Sequence, residues 1–340
     1  MSDMGFLSEL LKGIRVYLSR PMDSVVFRTM AYLALIKNTT RKSLLIAYSY
    51  LNKRSLAVSF LYGLSPVFLA RVRYLIKLGR WPDLKNPQSF DEKLLWLMLY
   101  WRHPLKTQCG DKYTVRSYIE ECGLGHLLSN CLGVYESSQE IDFGALPGRF
   151  VLKCTHGCSF NIVCRDKSKL NLADTRRRLD TWLIIDYGTL AGELHYSGMK
   201  PRIICEPFLG APDGNLPLDY KVYCFEGRAY CTMACARDIN GNNATYYFYD
   251  REWESRLPYE KEILLYDREI PKPESYDEMI DAAEKLSKPF PFVRVDFYCI
   301  QGRTVFSEMT FTPNTCIDTD FTDIEQSALG SLIKLPKKIC

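Results

Sequence analysis

Apolar side chains recur at every third or fourth position through the first part of the chain and at every second position through most of the rest, so the pattern predicts a helical beginning and a strand-rich body. FLSELLKGIRVYL, starting at Phe6, has helical spacing, and residues 6 to 80 continue as helices that mix Leu, Val, Phe and Tyr with Lys and Arg. Ser89 stands as an N-cap before FDEKLLWLMLYW, and DKYTVRSYIEECG from Asp111 predicts a second helix. FVLKC, THGCS and FNIVC, from Phe150 to Cys164, predict strand, turn and strand, and a basic helix follows around Leu172 to Ile185. After the strand PRIICEPFL comes the Gly- and Pro-rich joint GAPDGNLP, then a hairpin from Asp219 to Arg237. DEMIDAAEKLSK is an amphipathic helix leading through Pro289 and Pro291 into a last hairpin. No internal repeat or low-complexity tract interrupts this order.

The last hairpin carries the most chemistry. VRVDFYCI and TVFSEMTF are rich in Val, Phe and Tyr, and Gln301, Gly302 and Arg303 between them supply the reversal. A turn centred on Gly302 places Asp296 opposite Glu308 and Arg294 opposite Thr310, all four on one face. Two carboxylates facing each other at about 5 Å between Cβ atoms repel unless a proton or a cation lies between them. Mg2+ held by carboxylate oxygens satisfies that requirement. A solvated face with a diagonal Arg294 to Glu308 ion pair satisfies it too, and the hairpin alone does not choose.

A length of 340 residues, 47% of them hydrophobic and 13% aromatic, is that of a folded chain of two or three subdomains. The net charge of +4 hides an asymmetry: residues 1 to 80 hold 13 Lys or Arg against 3 Asp or Glu, which is +10 and leaves −6 for the remainder. The longest uncharged run, Ser55 to Ala70, contains Pro66 and is shorter than the roughly 20 residues needed to cross a bilayer. Residues 1 to 80 therefore either lie on an anionic membrane surface or cap the body that follows. Thirteen cysteines, an odd number without a CxxC pair, fit reduced cytoplasmic thiols. The four histidines have no metal-ligand spacing, which argues against a zinc site. Charges break the N-terminal apolar stretch, so no cleavable signal peptide is expected. Nucleic acid is not an expected partner, because the basic residues lie among apolar helices and not along an aromatic-lined groove.

The order of a lysine helix, a lysine strand with a turn, a strand ending in an acid and two hairpins, with the motifs NPQSFDEKLLWL, DKYTVR, FVLKCTHG, KPRIICEPFL, DYKVYCFEGR, KLSKPFPFVRVDFY and EMTFTP, resembles the TupA-like branch of the ATP-grasp superfamily from about Leu64 to Lys338. The resemblance implies an α+β fold in which two α+β subdomains clasp ATP, preceded by the basic helical region. The expected divisions are 1–63 for that region, 64–108 for a helical lead-in, 109–217 for the first ATP-grasp subdomain and 218–340 for the second, with the metal site. It implies ATP and Mg2+ as cofactors and a ligase that activates a carboxylate as an acylphosphate for attack by an amine. The family's association with cell-surface polysaccharides suggests a sugar- or lipid-linked glycan carboxylate as substrate, an amine as co-substrate, and action in the cytoplasm at the inner face of the membrane. A glycan kinase of the same fold and a non-catalytic membrane-surface scaffold are the alternatives.

Carried over by resemblance, Lys112 and Lys153 hold the triphosphate, and the loop containing His156, Gly157 and Ser159 covers it. Relatives usually have a run nearer HGSGGN there; Ser159 and Phe160 replace two glycines, which stiffens the loop. Glu206, with Phe208 and Leu209, is the expected adenine-reading hinge. Asp219 is expected to contact the nucleotide, Lys221 a phosphate or acylphosphate, and Arg237 the substrate or γ-phosphate. Arg294 would stabilise charge on the attacked carboxylate, while Asp296, Glu308, Thr310 and Asn314 are the expected metal set. Thr310 stands where many relatives have asparagine.

Overall fold

The structure is a computed structural model that describes residues 65–210, 216–237, 244–259 and 269–339. The chain divides into two compact units, 1–82 and 83–340. The expected helices and membrane contact of residues 6 to 64 lie outside the described residues. Of the first unit, the described part is helix α1 (Pro66–Leu78). It starts where Ser65 Oγ accepts the Phe68 N–H and ends at Gly79, whose φ of 73° places it in the left-handed conformation of a helix C-terminus.

The second unit opens with α2 (Phe90–Tyr100), capped by Ser89 as expected, and Glu92 completes a reciprocal cap by accepting the Ser89 N–H. Short helices α3 (Pro104–Gly110) and α4 (Val115–Glu121) follow. The predicted helix from Asp111 begins four residues later than its pattern suggests, because the Asp111 carboxylate accepts the N–H groups of Tyr113 and Thr114 and makes a turn first.

A four-stranded antiparallel sheet comes next, built from β1 (Gly133–Tyr135), β2 (Phe150–Cys154), β3 (Asn161–Cys164) and β4 (Ile203–Pro207) in the order β1-β4-β2-β3. Period two sorts its side chains: Phe150, Leu152 and Cys154 join Ile162, Cys164, Ile203 and Cys205 in a core closed by Leu179 of α5 (Leu172–Leu183). Val151 and Lys153 consequently point away from that core. A short helix α6 (Tyr187–Ala191) and a single 3-10 turn at Leu194–Tyr196 connect α5 to β4.

The larger sheet contains β5 (Asp219–Phe225), β6 (Arg228–Arg237), β7 (Ala244–Asp250), β8 (Arg256–Leu257), β9 (Phe292–Ile300) and β10 (Arg303–Thr310) in the order β10-β9-β5-β6-β7-β8, all antiparallel. Helix α7 (Tyr276–Ser287) covers one face, where the Tyr276 and Thr232 hydroxyls hydrogen-bond at 2.8 Å. Phe90 of α2 packs with Phe292, Phe225 and Phe321 at one end of the opposite face, and α8 (Asp323–Ser331) lies against α2. The middle of that opposite face is charged. The two predicted hairpins are therefore not separate: β5 of the first pairs directly with β9 of the second.

Candidate active site

Three strands bring the charged side chains into line. Glu308 lies opposite Asp296, as the hairpin predicts, and Asp296 lies opposite Lys221. The register has an unexpected cause. Gln301 and Gly302, with φ of 53° and 74°, make a two-residue turn that pairs Arg303 with Ile300. Continued unbroken, that register would set Ser307 against Asp296 and turn Glu308 toward the face covered by α7. A bulge between Phe306 and Glu308 absorbs Ser307 and returns Glu308 to the charged face.

Asp296 is fully buried and both its oxygens are engaged. Arg294 Nε donates to Oδ1 at 2.8 Å and Arg294 Nη2 to Oδ2 at 2.8 Å, while Lys221 Nζ reaches Oδ2 at 2.5 Å. Lys221 is equally close to Asp219 Oδ2, at 2.5 Å, so one ammonium serves two carboxylates. Burial alone would raise the Asp296 pKa, but Arg294 and Lys221 outweigh it and hold the group ionised below the ordinary carboxylate value. Asp219 has the opposite balance. Burial and the Asp296 charge outweigh Lys221 and raise its pKa, and its Oδ1 is buried without a hydrogen-bond partner among the described residues. Glu308 differs from both: its side chain is 40% exposed, 3.9 Å from Arg294 Nη2, and accepts from the Thr310 hydroxyl at 3.4 Å. Arg294 Nη2 also donates to Thr310 Oγ1 at 3.2 Å.

On the smaller sheet Lys153 Nζ lies 2.7 Å from Glu206 Oε2, a diagonal cross-strand pair, and Ser129 Oγ donates to Glu206 Oε1 at 2.6 Å. Burial works to lower the Lys153 pKa; Glu206 outweighs it, with further support from Tyr298 and Glu308, so the ammonium keeps its proton. Lys153 thus feels the charged face of the larger sheet. Tyr298 lies opposite Asp219 in the ladder; burial and Asp219 raise its phenol pKa, while Lys153 and a hydrogen bond with the bulge residue Ser307 oppose them.

The remaining expected residues are more scattered. Lys112 Nζ donates to the Gly157 carbonyl at 2.6 Å, so it holds the loop directly. His156 is buried with Nε2 3.1 Å from the Trp182 carbonyl, and burial lowers its pKa. Ser159 is exposed with φ 62°. Phe208 packs under the Arg149 guanidinium at 4.4 Å, and Leu209 follows it beyond the end of β4. Arg237 closes β6, exposed, at the border of a stretch outside the described residues. Asn314 sits in a left-handed turn with Thr315 and Cys316, and its amide donates to Asp318 Oδ2 at 2.6 Å. Sequence reasoning missed Ser129, Tyr298 and Trp182. Tyr298 had a signal, since it follows Asp296 by two residues on the same strand face.

The donor set fits Mg2+ in one particular way. Among the described residues no group of three acidic, histidine or cysteine side chains could hold an ion unaided. Glu308 is accessible, Asp296 lies beside it, and Asp219 has a buried oxygen without a hydrogen-bond partner among the described residues, so a metal held here would take two or three carboxylates from the protein and its other ligands from phosphate and water. That is the habit of Mg2+ at nucleotide sites.

A small antiparallel sheet bearing a lysine and a larger one bearing a row of acids and a second lysine form the two halves of an ATP-grasp fold. Residues 92–334 match the family described as TupA-like ATP-grasp, and the chain belongs to that family. Comparison with curated proteins returned no match. Among solved structures, D-alanine–D-alanine ligase from Bacillus anthracis in complex with ATP is 12% identical, with 66% of this chain and 65% of that chain covered and a TM-score of 0.42. The ATP-grasp ligase PsnB with its minimal precursor is 14% identical over 70% of this chain and 66% of that one, with a TM-score of 0.38. Phosphoribosylamine–glycine ligase from Thermotoga maritima is 13% identical over 63% and 51%, with a TM-score of 0.39. The chain spans just under two thirds of the length of the first two of these and about half of the third.

Proposed function

We propose that the protein is an ATP- and Mg2+-dependent ligase that joins a carboxylate to an amine, acting on a uronic-acid unit of a bacterial cell-surface polysaccharide. The observation that carries this reading is the row Glu308, Asp296 and Lys221 across three adjacent strands, with Glu308 within the electrostatic reach of Lys153 on the other sheet. Family membership supports the chemistry. The choice of polysaccharide rests on the resemblance alone.

In this reading Lys112 and Lys153 neutralise triphosphate oxygens and hold the γ-phosphoryl group in line. A substrate carboxylate oxygen attacks the γ-phosphorus, ADP departs, and the resulting acylphosphate is attacked at carbon by the amine. The amine loses a proton, inorganic phosphate leaves and an amide remains. Lys221 would turn from Asp296 Oδ2 to a phosphate oxygen on nucleotide binding, leaving Arg294 as the remaining donor to the Asp296 carboxylate beside Glu308. Glu308 and Asp296 are the residues that would hold Mg2+, which when bound would supply positive charge to the phosphates. Arg294, anchored on Asp296 and Thr310, offers its remaining donor capacity to charge developing on the attacked carboxylate. Glu206 and the backbone from Pro207 to Leu209 face the adenine.

No helix among the described residues is long and apolar enough to cross a membrane. Peripheral docking at the inner membrane face is part of the proposal, supported by the +10 of residues 1 to 80. Binding to anionic but not zwitterionic vesicles, lost as salt rises, is the expected result.

The deciding assay measures ADP release in the presence of a uronic-acid glycan and an amine. Release that requires both substrates, and falls at least a hundredfold in Glu308→Gln with the fold intact by circular dichroism, supports the ligase. A stable phosphosugar made without an amine replaces it with a kinase. Failure to bind ATP leaves a scaffold.

A further inference from the structure

The loop from Thr155 to Asn161 carries Phe160 into an aromatic group. Phe160 stacks on the Trp182 indole with ring centroids 5.4 Å apart and planes 11° apart, and it meets the Tyr187 ring edge-on at 5.4 Å. The Arg178 guanidinium lies 4.9 Å from the same indole. Tyr187 in turn packs edge-on against Tyr196 at 5.2 Å. Gly157 is hemmed in by this group, since a Cβ there would lie 2.9 Å from Tyr187 Cγ and 3.1 Å from Phe160 Cδ2. Polar contacts pin the rest of the loop: Lys112 Nζ to the Gly157 carbonyl, His156 Nε2 against the Trp182 carbonyl at 3.1 Å, Cys154 N–H to the Phe160 carbonyl at 2.8 Å and Thr155 N–H to the Arg202 carbonyl at 2.9 Å.

A loop that covers phosphates by flexing needs glycine's conformational freedom and few side-chain contacts. This one has a single glycine, Gly157, and an aromatic anchor, Phe160. Each stacked or edge-on aromatic pair adds about 0.5–1.5 kcal/mol beyond its burial, and the three pairs Phe160–Trp182, Phe160–Tyr187 and Tyr187–Tyr196 act together. We propose that Trp182 is a positioning residue that clamps the loop through Phe160, so that helix α5 is the mount of a preformed phosphate cover and not a bystander to a mobile one. The role in phosphate binding rests on the ATP-site reading above; the clamp itself does not.

Hydrogen exchange of the full chain without nucleotide, together with binding of ATP and of adenosine, separates the two. Wild-type protein is expected to protect 155–161. Trp182→Ala should speed exchange of that segment at least tenfold with the β5–β9 ladder unchanged. Phe160→Gly should do the same, and Trp182→Phe, which keeps a stacking ring, should restore protection. ATP affinity should fall about tenfold in Trp182→Ala while adenosine affinity is unchanged, because the loop meets phosphates and not the base. Fast exchange of 155–161 in the wild type, or unaltered exchange in Trp182→Ala, overturns the clamp. Equal loss of ATP and adenosine binding overturns the positioning role. A wild type that binds no ATP overturns the ATP-site reading and leaves exchange to decide the clamp.

Discussion

Lys221 bridges the charged face, because its ammonium lies 2.5 Å from each of two buried or nearly buried acids, Asp219 and Asp296, the second of which it shares with Arg294. Removing one member of a buried pair leaves an uncompensated charge, which costs about 3–5 kcal/mol. Lys221→Met should therefore lose that much stability in urea unfolding at neutral pH. Asp219→Asn should lose much less, since it also removes the repulsion with Asp296 that helps to raise the Asp219 pKa. A different lysine shows burial acting without an acid. Lys106 is buried with Nζ donating to the Leu97 carbonyl at 3.1 Å and the Trp101 carbonyl at 3.4 Å, and desolvation brings its pKa down to about 8. Between about 8 and the ordinary 10.5 the unfolded chain holds a proton that the folded chain has released, so stability rises with pH across that window. Wild type should gain on the order of 3 kcal/mol over Lys106→Met there, measured as the difference between their unfolding free energies at the two ends. The role of Lys106 was not legible in its surroundings HPLKTQC, where a charge at a helix start looks solvated; only the folded chain brings the carbonyl end of α2 onto it.

At the scale of elements, α8 approaches α2 through a missing side chain. A Cβ on Gly330 would collide with the Gln88 carbonyl and come within 2.9 Å of Phe90 N, and these are backbone atoms of a capped helix start that cannot swing aside. Gly330→Ala should destabilise by about 1–3 kcal/mol, read as a lowered urea midpoint with an unchanged slope. The elements themselves were largely legible: the N-cap at Ser89, the strands around Lys153, the hairpin from Asp219 and the amphipathic helix before Pro289 all follow local spacing. Strand β7 was not, because ATYYFYD carries aromatic residues on both faces and lacks a strict alternation. The bulge at Ser307 was also hidden. Its effect on register equals that of a longer turn, so the pairing of Asp296 with Glu308 was reached from the sequence by a different route from the one the chain takes.

At the scale of the whole unit, the proposed site is divided between two sheets and would draw its remaining metal ligands from the nucleotide. With Asp296 already neutralised by Arg294 and Lys221, Mg2+ alone should bind no tighter than millimolar in calorimetry. In the presence of ATP it should bind at least tenfold more tightly, and Glu308→Gln should abolish that gain while leaving the folded structure unchanged. Tight Mg2+ binding without nucleotide would refute the shared-ligand site. Spacing along the chain was enough to say which side chains share a strand face and which residues cap a helix, because those relations span two to four residues and depend on backbone geometry alone. It could not say that β5 would lie beside β9 and set Lys221 against Asp296, 75 positions away. That neighbour is selected when the sheet closes over α7 and the buried acids must each find a cation, a condition that only the assembled chain can impose.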